Sequence, residues 1–191
     1  MRNKEDARVL RTKDKLFTAF QGLLSEKTFE EITVNEICVK ADVRRATFYK
    51  HFNDKYDFLS AMVASLIGRF DARMKSKYKS YPVEYHVEYE RRLLEFLLDN
   101  DELVGFILKS NMISTVVMLI VNENYKVLLE RLTHSVENGE KLVADVRTVA
   151  TALSGGIGNI IIRWFAEGKP CSKDAIMGEM DSIVRAMFVE K

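Results

Sequence analysis

A chain of 191 residues, 47% hydrophobic and 30% charged, can bury one large core or two small ones, which excludes a disordered polymer. The formal net charge of +1 is unevenly spread: residues 1–55 carry twelve Lys or Arg against nine Asp or Glu, and residues 56–191 carry seventeen against nineteen. The basic surplus sits at the N-terminal end, where contacts to phosphates would use it. Two cysteines, Cys38 and Cys171, exclude a disulfide framework and fall in no Cys/His zinc pattern, so a reducing cytoplasm is the expected location. The charged start, Met1 to Asp14, lacks the apolar stretch of a signal peptide, and no run reaches the roughly 18 apolar residues of a membrane span.

Apolar residues recur at helical spacing along the whole chain. Leu16, Phe17, Phe20, Leu23 and Leu24 predict a helix over 12–25. Thr33, followed three residues later by Glu36, is a capping box and predicts a helix start at Thr33. That helix should stop at Ala41-Asp42-Val43, with Asp42 in the turn. A second short helix is predicted over the nine residues Arg44 to Phe52, with Phe48 and Phe52 on a face shared with Ile37 and Val43. Arg44, Arg45, Thr47, Lys50 and His51 are then left to point outward, and Cys38 supplies a small side chain where the two helices cross.

A long helix over 54–79 follows through Phe58, Leu59, Met62, Leu66 and Phe70. It belongs to both a basic N-terminal unit, 1–55, and a larger helical body, 56–191, which makes it the mechanical connection between them. Beyond Pro82, apolar-periodic stretches at 84–98, 101–109, 112–137, 145–167 and 172–189 complete an all-α chain of about nine helices.

A short helix that buries aromatics on one side and offers cations on the other suits the DNA major groove. From Leu16 to Leu59 the sequence resembles the DNA-binding domain of the TetR family of transcription regulators. The resemblance is carried by Thr33, Ile37, Ala41, Val43, Thr47, Phe48, Tyr49, His51, Phe52 and Lys55. Asp42 stands where that family usually has Gly, and Cys38 where it usually has Ala; Asp tolerates the left-handed turn and Cys is nearly as small as Ala. The resemblance implies phosphate contacts from Thr33, Thr47, Tyr49, His51 and Lys55, and base contacts from Arg44 and Arg45, with Lys50 on the same outward side.

It also implies that the last two helices build a four-helix dimer interface, here through Gly155, Gly156, Ile157, Ile160, Ile183 and Met187. The Ser154–Gly158 run lacks the strand and the Lys-Ser/Thr ending of a phosphate-binding loop, so its glycines read as a place of close helix approach. Phe106, Met112, Met118, Tyr125, Trp164 and Phe165 either line a ligand cavity in the body or pack its core. His86 and His134, with Glu88, Glu130 and Glu137 nearby, read as helix-surface charge in preference to a metal site. No catalytic cluster, metal pattern or cofactor loop supports an enzyme. The expectation is a homodimeric regulator, a repressor, that binds a palindromic operator in double-stranded DNA and is released by a small-molecule effector. An interaction adaptor that keeps the fold without binding DNA is the alternative.

Overall fold

The computed structural model describes residues 2–75, 80–109 and 113–189, with side chains at 7–74, 80–101, 104, 105, 107, 108 and 113–189. Among the described residues the chain forms nine helices and no strand: α1 (Arg2–Leu24), α2 (Val34–Lys40), α3 (Arg45–Tyr49), α4 (Lys55–Lys75), α5 (Val83–Asp99), α6 (Asp101–Lys109), α7 (Ile113–Glu137), α8 (Val146–Ala166) and α9 (Lys173–Ala186).

The order follows the apolar spacing, with one extension. α1 starts at Arg2, well before the predicted residue 12. Its first turns have almost no apolar stripe to read, and good helix formers carry the helix outward from the buried Leu16–Leu24 end. Arg69 of α4 pairs with Asp14 across this helix at 3.0 Å.

Two large cores divide the apolar residues. The first gathers α1, α2, α3 and the first half of α4 around Phe20, Phe48 and Phe58, and reaches across to Val116 of α7. The second joins α5, α7, α8 and α9 around Leu94, Leu132, Leu153 and Val184. α8 is long and apolar enough to cross a membrane by length and composition alone, which the sequence reading did not anticipate; 44% of that window is buried inside the protein, where α8 packs along α7. An isolated antiparallel bridge between Leu142 and Phe188 ties the α7–α8 connection to the end of α9.

Between the cores, Arg131 of α7 grips Asp71 of α4 with two hydrogen bonds, Nη2 to Oδ2 at 2.6 Å and Nε to Oδ1 at 3.1 Å. Both side chains are nearly shut off from solvent. Deeper in the body, Glu90 is fully buried with no hydrogen-bond partner for either carboxyl oxygen, and burial pushes its pKa up to about 8. It is therefore a neutral acid at pH 7. His86, four residues before it on α5, is also buried, its Nε2 3.0 Å from Ser135 Oγ, and desolvation lowers its pKa to about 4. His86 is thus an interior residue and not the surface charge expected, whereas His134 is half-buried and lies against the Tyr81 ring. Among the described residues no group of three or more possible ligands could hold a metal ion.

Candidate nucleic-acid interface

The start of α2 is built as the spacing predicts. Thr33 Oγ1 accepts from the Glu36 amide at 3.2 Å, and the Glu36 carboxylate accepts from the Thr33 amide at 2.9 Å and from its hydroxyl at 2.8 Å. Lys27 pairs with the same carboxylate, and this ammonium, followed by the Thr33 amide and hydroxyl, holds Glu36 down to about 2. After α2, Asp42 takes φ 52°, the left-handed conformation that a Gly would adopt at lower cost. The Val43 amide then bonds Cys38 carbonyl at 2.9 Å and launches α3 at an angle to α2. Cys38 is buried in the first core, and burial pushes its thiol pKa up, away from the reactive range.

α3 is shorter than predicted: five residues, Arg45–Tyr49, not nine. The last turn is surrendered because Asp54 caps α4, accepting from the Tyr56 and Asp57 amides at 2.8 Å each, and the chain must turn sharply between the two helices. The His51 and Phe52 amides still bond back to Phe48 carbonyl, at 2.9 and 3.0 Å. Phe48 and Phe52 thereby reach the first core, their rings 5.5 and 5.1 Å from that of Phe58.

With those two rings buried, the opposite side of α3 faces solvent. Arg44, Arg45, Tyr49 and Lys50 are exposed, and Thr47 and His51 are half-buried. Arg45 lies over the Tyr49 ring, 5.8 Å from its centroid. Six of the eight residues expected to meet DNA therefore form one cationic, hydroxyl-bearing surface around a five-residue helix.

The other two have different work. Lys55 Nζ donates to the carbonyl oxygens of Phe29 and Glu30 at 2.9 Å each and of Ile32 at 3.0 Å, and sits 4.6 Å from the centre of the Phe29 ring. An ammonium has three donors, and all three are spent on the α1–α2 connection, so a phosphate must displace a carbonyl to reach it. Thr33 is likewise committed to its capping box. One cation was missed: Lys13 of α1 stands 5.7 Å from the centre of the Phe52 ring, and only the basic bias of the N-terminal end hinted at it.

The residues expected to line a ligand cavity are not brought together. Trp164 and Phe165 are buried in the second core, with Trp164 Nε1 donating to Cys171 carbonyl at 3.1 Å. Tyr125 packs against that core, and Met118 is 55% exposed. Met112 and the side chain of Phe106 lie outside the described residues. A cavity of about 360 Å³ lies elsewhere, where α1, the α1–α2 connection and α4 meet α5, α6 and α7.

The expected interface residues also separate. Ile157 is fully buried within its own chain, which removes it from any surface, and Ile160, Ile183 and Met187 lean on the same core. Gly155 and Gly156 instead open outward, since a Cβ at either would meet nothing within 4 Å. Gly158 is the glycine that approaches α7, 3.5 Å from a methyl of Val121.

Residues 21–62 match the family of bacterial regulatory proteins, tetR family, a stretch that runs from the end of α1 into α4. A 59-residue segment is 42% identical to YxbF, an uncharacterised HTH-type transcriptional regulator of Bacillus subtilis; it spans 30% of this chain and 16% of that protein. The whole fold is similar to a Syntrophomonas wolfei protein assigned to the TetR family of transcriptional regulators, with TM-score 0.71 and 18% identity, covering 96% of this chain and 94% of that one. It is also similar to the transcriptional regulator FadR from Bacillus subtilis in complex with stearoyl-CoA, with TM-score 0.65 and 19% identity over 89% of this chain and 96% of that one.

Proposed function

We propose that this chain, whose residues 21–62 match the tetR family of bacterial regulatory proteins and whose whole fold is similar to that of TetR-family regulators, is a cytoplasmic DNA-binding repressor that acts as a homodimer and is released by a small molecule. The observation that carries the reading is the α3 surface: two arginines, Lys50, Tyr49 and Thr47 face outward because Phe48 and Phe52 are locked onto Phe58. Arg44 and Arg45, at the leading end of the helix, are placed to meet base edges, and guanine is the partner a guanidinium contacts bidentately. Thr47, Tyr49 and His51 supply hydroxyl and ring N–H groups of the kind that hold phosphates and set register.

Arg45→Ala should relax sequence preference, losing about 1 to 3 kcal/mol of discrimination at one base pair. Selection of bound duplexes from a random pool, followed by titration at several salt concentrations, measures this. Enrichment of an identical site by variant and wild type would remove Arg45 as a reader. A wild-type chain that enriches nothing would make it an adaptor and not a DNA-binding regulator.

The dimer reading rests on an outward face of small residues. Ala152, Gly156 and Asn159 on α8 and Ala175, Gly178, Ser182 and Ala186 on α9 are all exposed and recur at helical spacing. Small side chains on two consecutive helices let a second copy's backbone come close, and pairing would set two α3 helices about one DNA turn, roughly 34 Å, apart. Gly156→Leu should therefore weaken the dimer and lower operator affinity while the monomer stays helical. Sedimentation equilibrium with circular dichroism decides it: a fully dimeric, helical variant places the interface elsewhere.

A further inference from the structure

We infer that the cavity between the DNA-binding end and the body is a binding site for an uncharged, mostly apolar small molecule, whose presence is felt directly by the α1–α2 connection. The regulatory half of this inference rests on the DNA-binding reading above; the binding half does not.

The place comes first. The walls include Phe20 and Leu24 of α1, Phe29 of the connection, Met62 of α4, Phe96 of α5 and Ile120 of α7, so an occupant touches both halves of the protein at once. A cavity of about 360 Å³ is within the range that holds a small ligand, and apolar walls favour an apolar guest over water.

The charge of the guest follows from the rim. Each charged side chain there is already engaged inside the protein: Lys27 with Glu36, Glu26 with Lys40 at 2.7 Å, and Glu31 with the Thr28 amide at 3.0 Å and hydroxyl at 2.9 Å. A charged ligand would have to break one of these pairs, and an uncharged one need not. Neutral polar capacity is present: the Gln21 amide lines the cavity, and Asn100 donates through Nδ2 to Phe96 carbonyl at 2.7 Å, which leaves its Oδ1 to accept from a hydroxyl or amide.

The consequence follows from what holds the connection. Phe29 lies in the cavity wall and under Lys55, and Lys27 at the rim pairs with Glu36 of the α2 capping box. A guest that displaces Phe29 or Lys27 therefore shifts the start of α2 and the docking of the connection on α4, the two supports that set where α3 points.

The test uses the full chain and N-phenyl-1-naphthylamine, an uncharged apolar fluorophore. Expected are saturable binding of one probe per chain and, with probe at ten times its Kd, about tenfold slower hydrogen exchange at the amides of Ser25 to Phe29. Ile120→Trp, which fills the cavity from α7, should weaken binding about tenfold or more; Leu66→Phe, a smaller intrusion from α4, serves if the first variant does not keep the wild-type melting profile. DNA selected as above should be released by probe from wild type and retained by the cavity-filled variant. Absence of saturable binding overturns the inference. So does exchange protection confined to the surroundings of Glu90 and Leu128, or undiminished binding by both folded variants. Binding and protection as expected, in a chain that enriches no DNA, would leave the site standing and defeat the regulator reading alone.

Discussion

Phe58→Ala is expected to cost about 3 to 5 kcal/mol of folding stability and, with it, specific contact to DNA. Phe58 belongs to α4 yet is the ring on which α1, α3 and the turn after α3 converge: Phe17 at 5.3 Å, Phe20 at 5.4 Å, Phe48 at 5.5 Å and Phe52 at 5.1 Å. Its side chain is fully buried, so removal leaves a void that four flanking rings are too rigid to fill. A five-residue helix has almost no stability of its own, and α3 is held chiefly by what Phe48 and Phe52 pack against. Urea unfolding and DNA titration read the two effects. A loss under about 1 kcal/mol would show that the rings repack without Phe58, and intact DNA affinity would show that α3 is placed by something else.

Arg131→Met should cost about 3 to 5 kcal/mol, because it leaves the Asp71 carboxylate buried without its main partner. The guanidinium also donates to Tyr81 hydroxyl at 2.9 Å and to Glu130 at 3.0 Å, so one side chain organises α4, α7 and the start of α5. Arg131→Met combined with Asp71→Leu should recover part of the loss, since two apolar side chains carry no desolvation cost. Thermal unfolding of the two single variants and the double variant closes the cycle. Purely additive losses would mean that the two side chains act independently, and that α4 is tied to the body by apolar packing alone.

The two variants probe opposite ends of α4. Loss of Phe58 frees the DNA-binding end from the helix, whereas loss of Arg131 frees the helix from the body. An occupant of the cavity touches the α1–α2 connection directly and does not meet Asp71 or Arg131, so Arg131→Met should leave DNA release by that occupant in place.

Features that depend on neighbours three or four residues apart were determined by the sequence itself. The Thr33–Glu36 capping box, the turn at Asp42, the Phe48–Phe52 pair and the long apolar stripes of α4, α5, α7 and α8 are of this kind, because a helix brings such positions together whatever surrounds it. From them followed the all-α fold and the outward set at Arg44, Arg45, Thr47, Lys50 and His51, to which the family resemblance added Tyr49. Features that depend on distant residues were decided only by tertiary structure. Lys55 reads as a free cation until the carbonyl oxygen of Phe29, 26 residues away, is found beside it, and Asp71 meets Arg131 across 60 residues. Ile157 and Gly156 are adjacent in one apolar helix, yet the first is core and the second is surface, because the rotation of α8 is set by α7 and not by its own pattern. The cavity is the extreme case. Six elements enclose it, and no local periodicity encodes a space that exists only because their side chains do not meet.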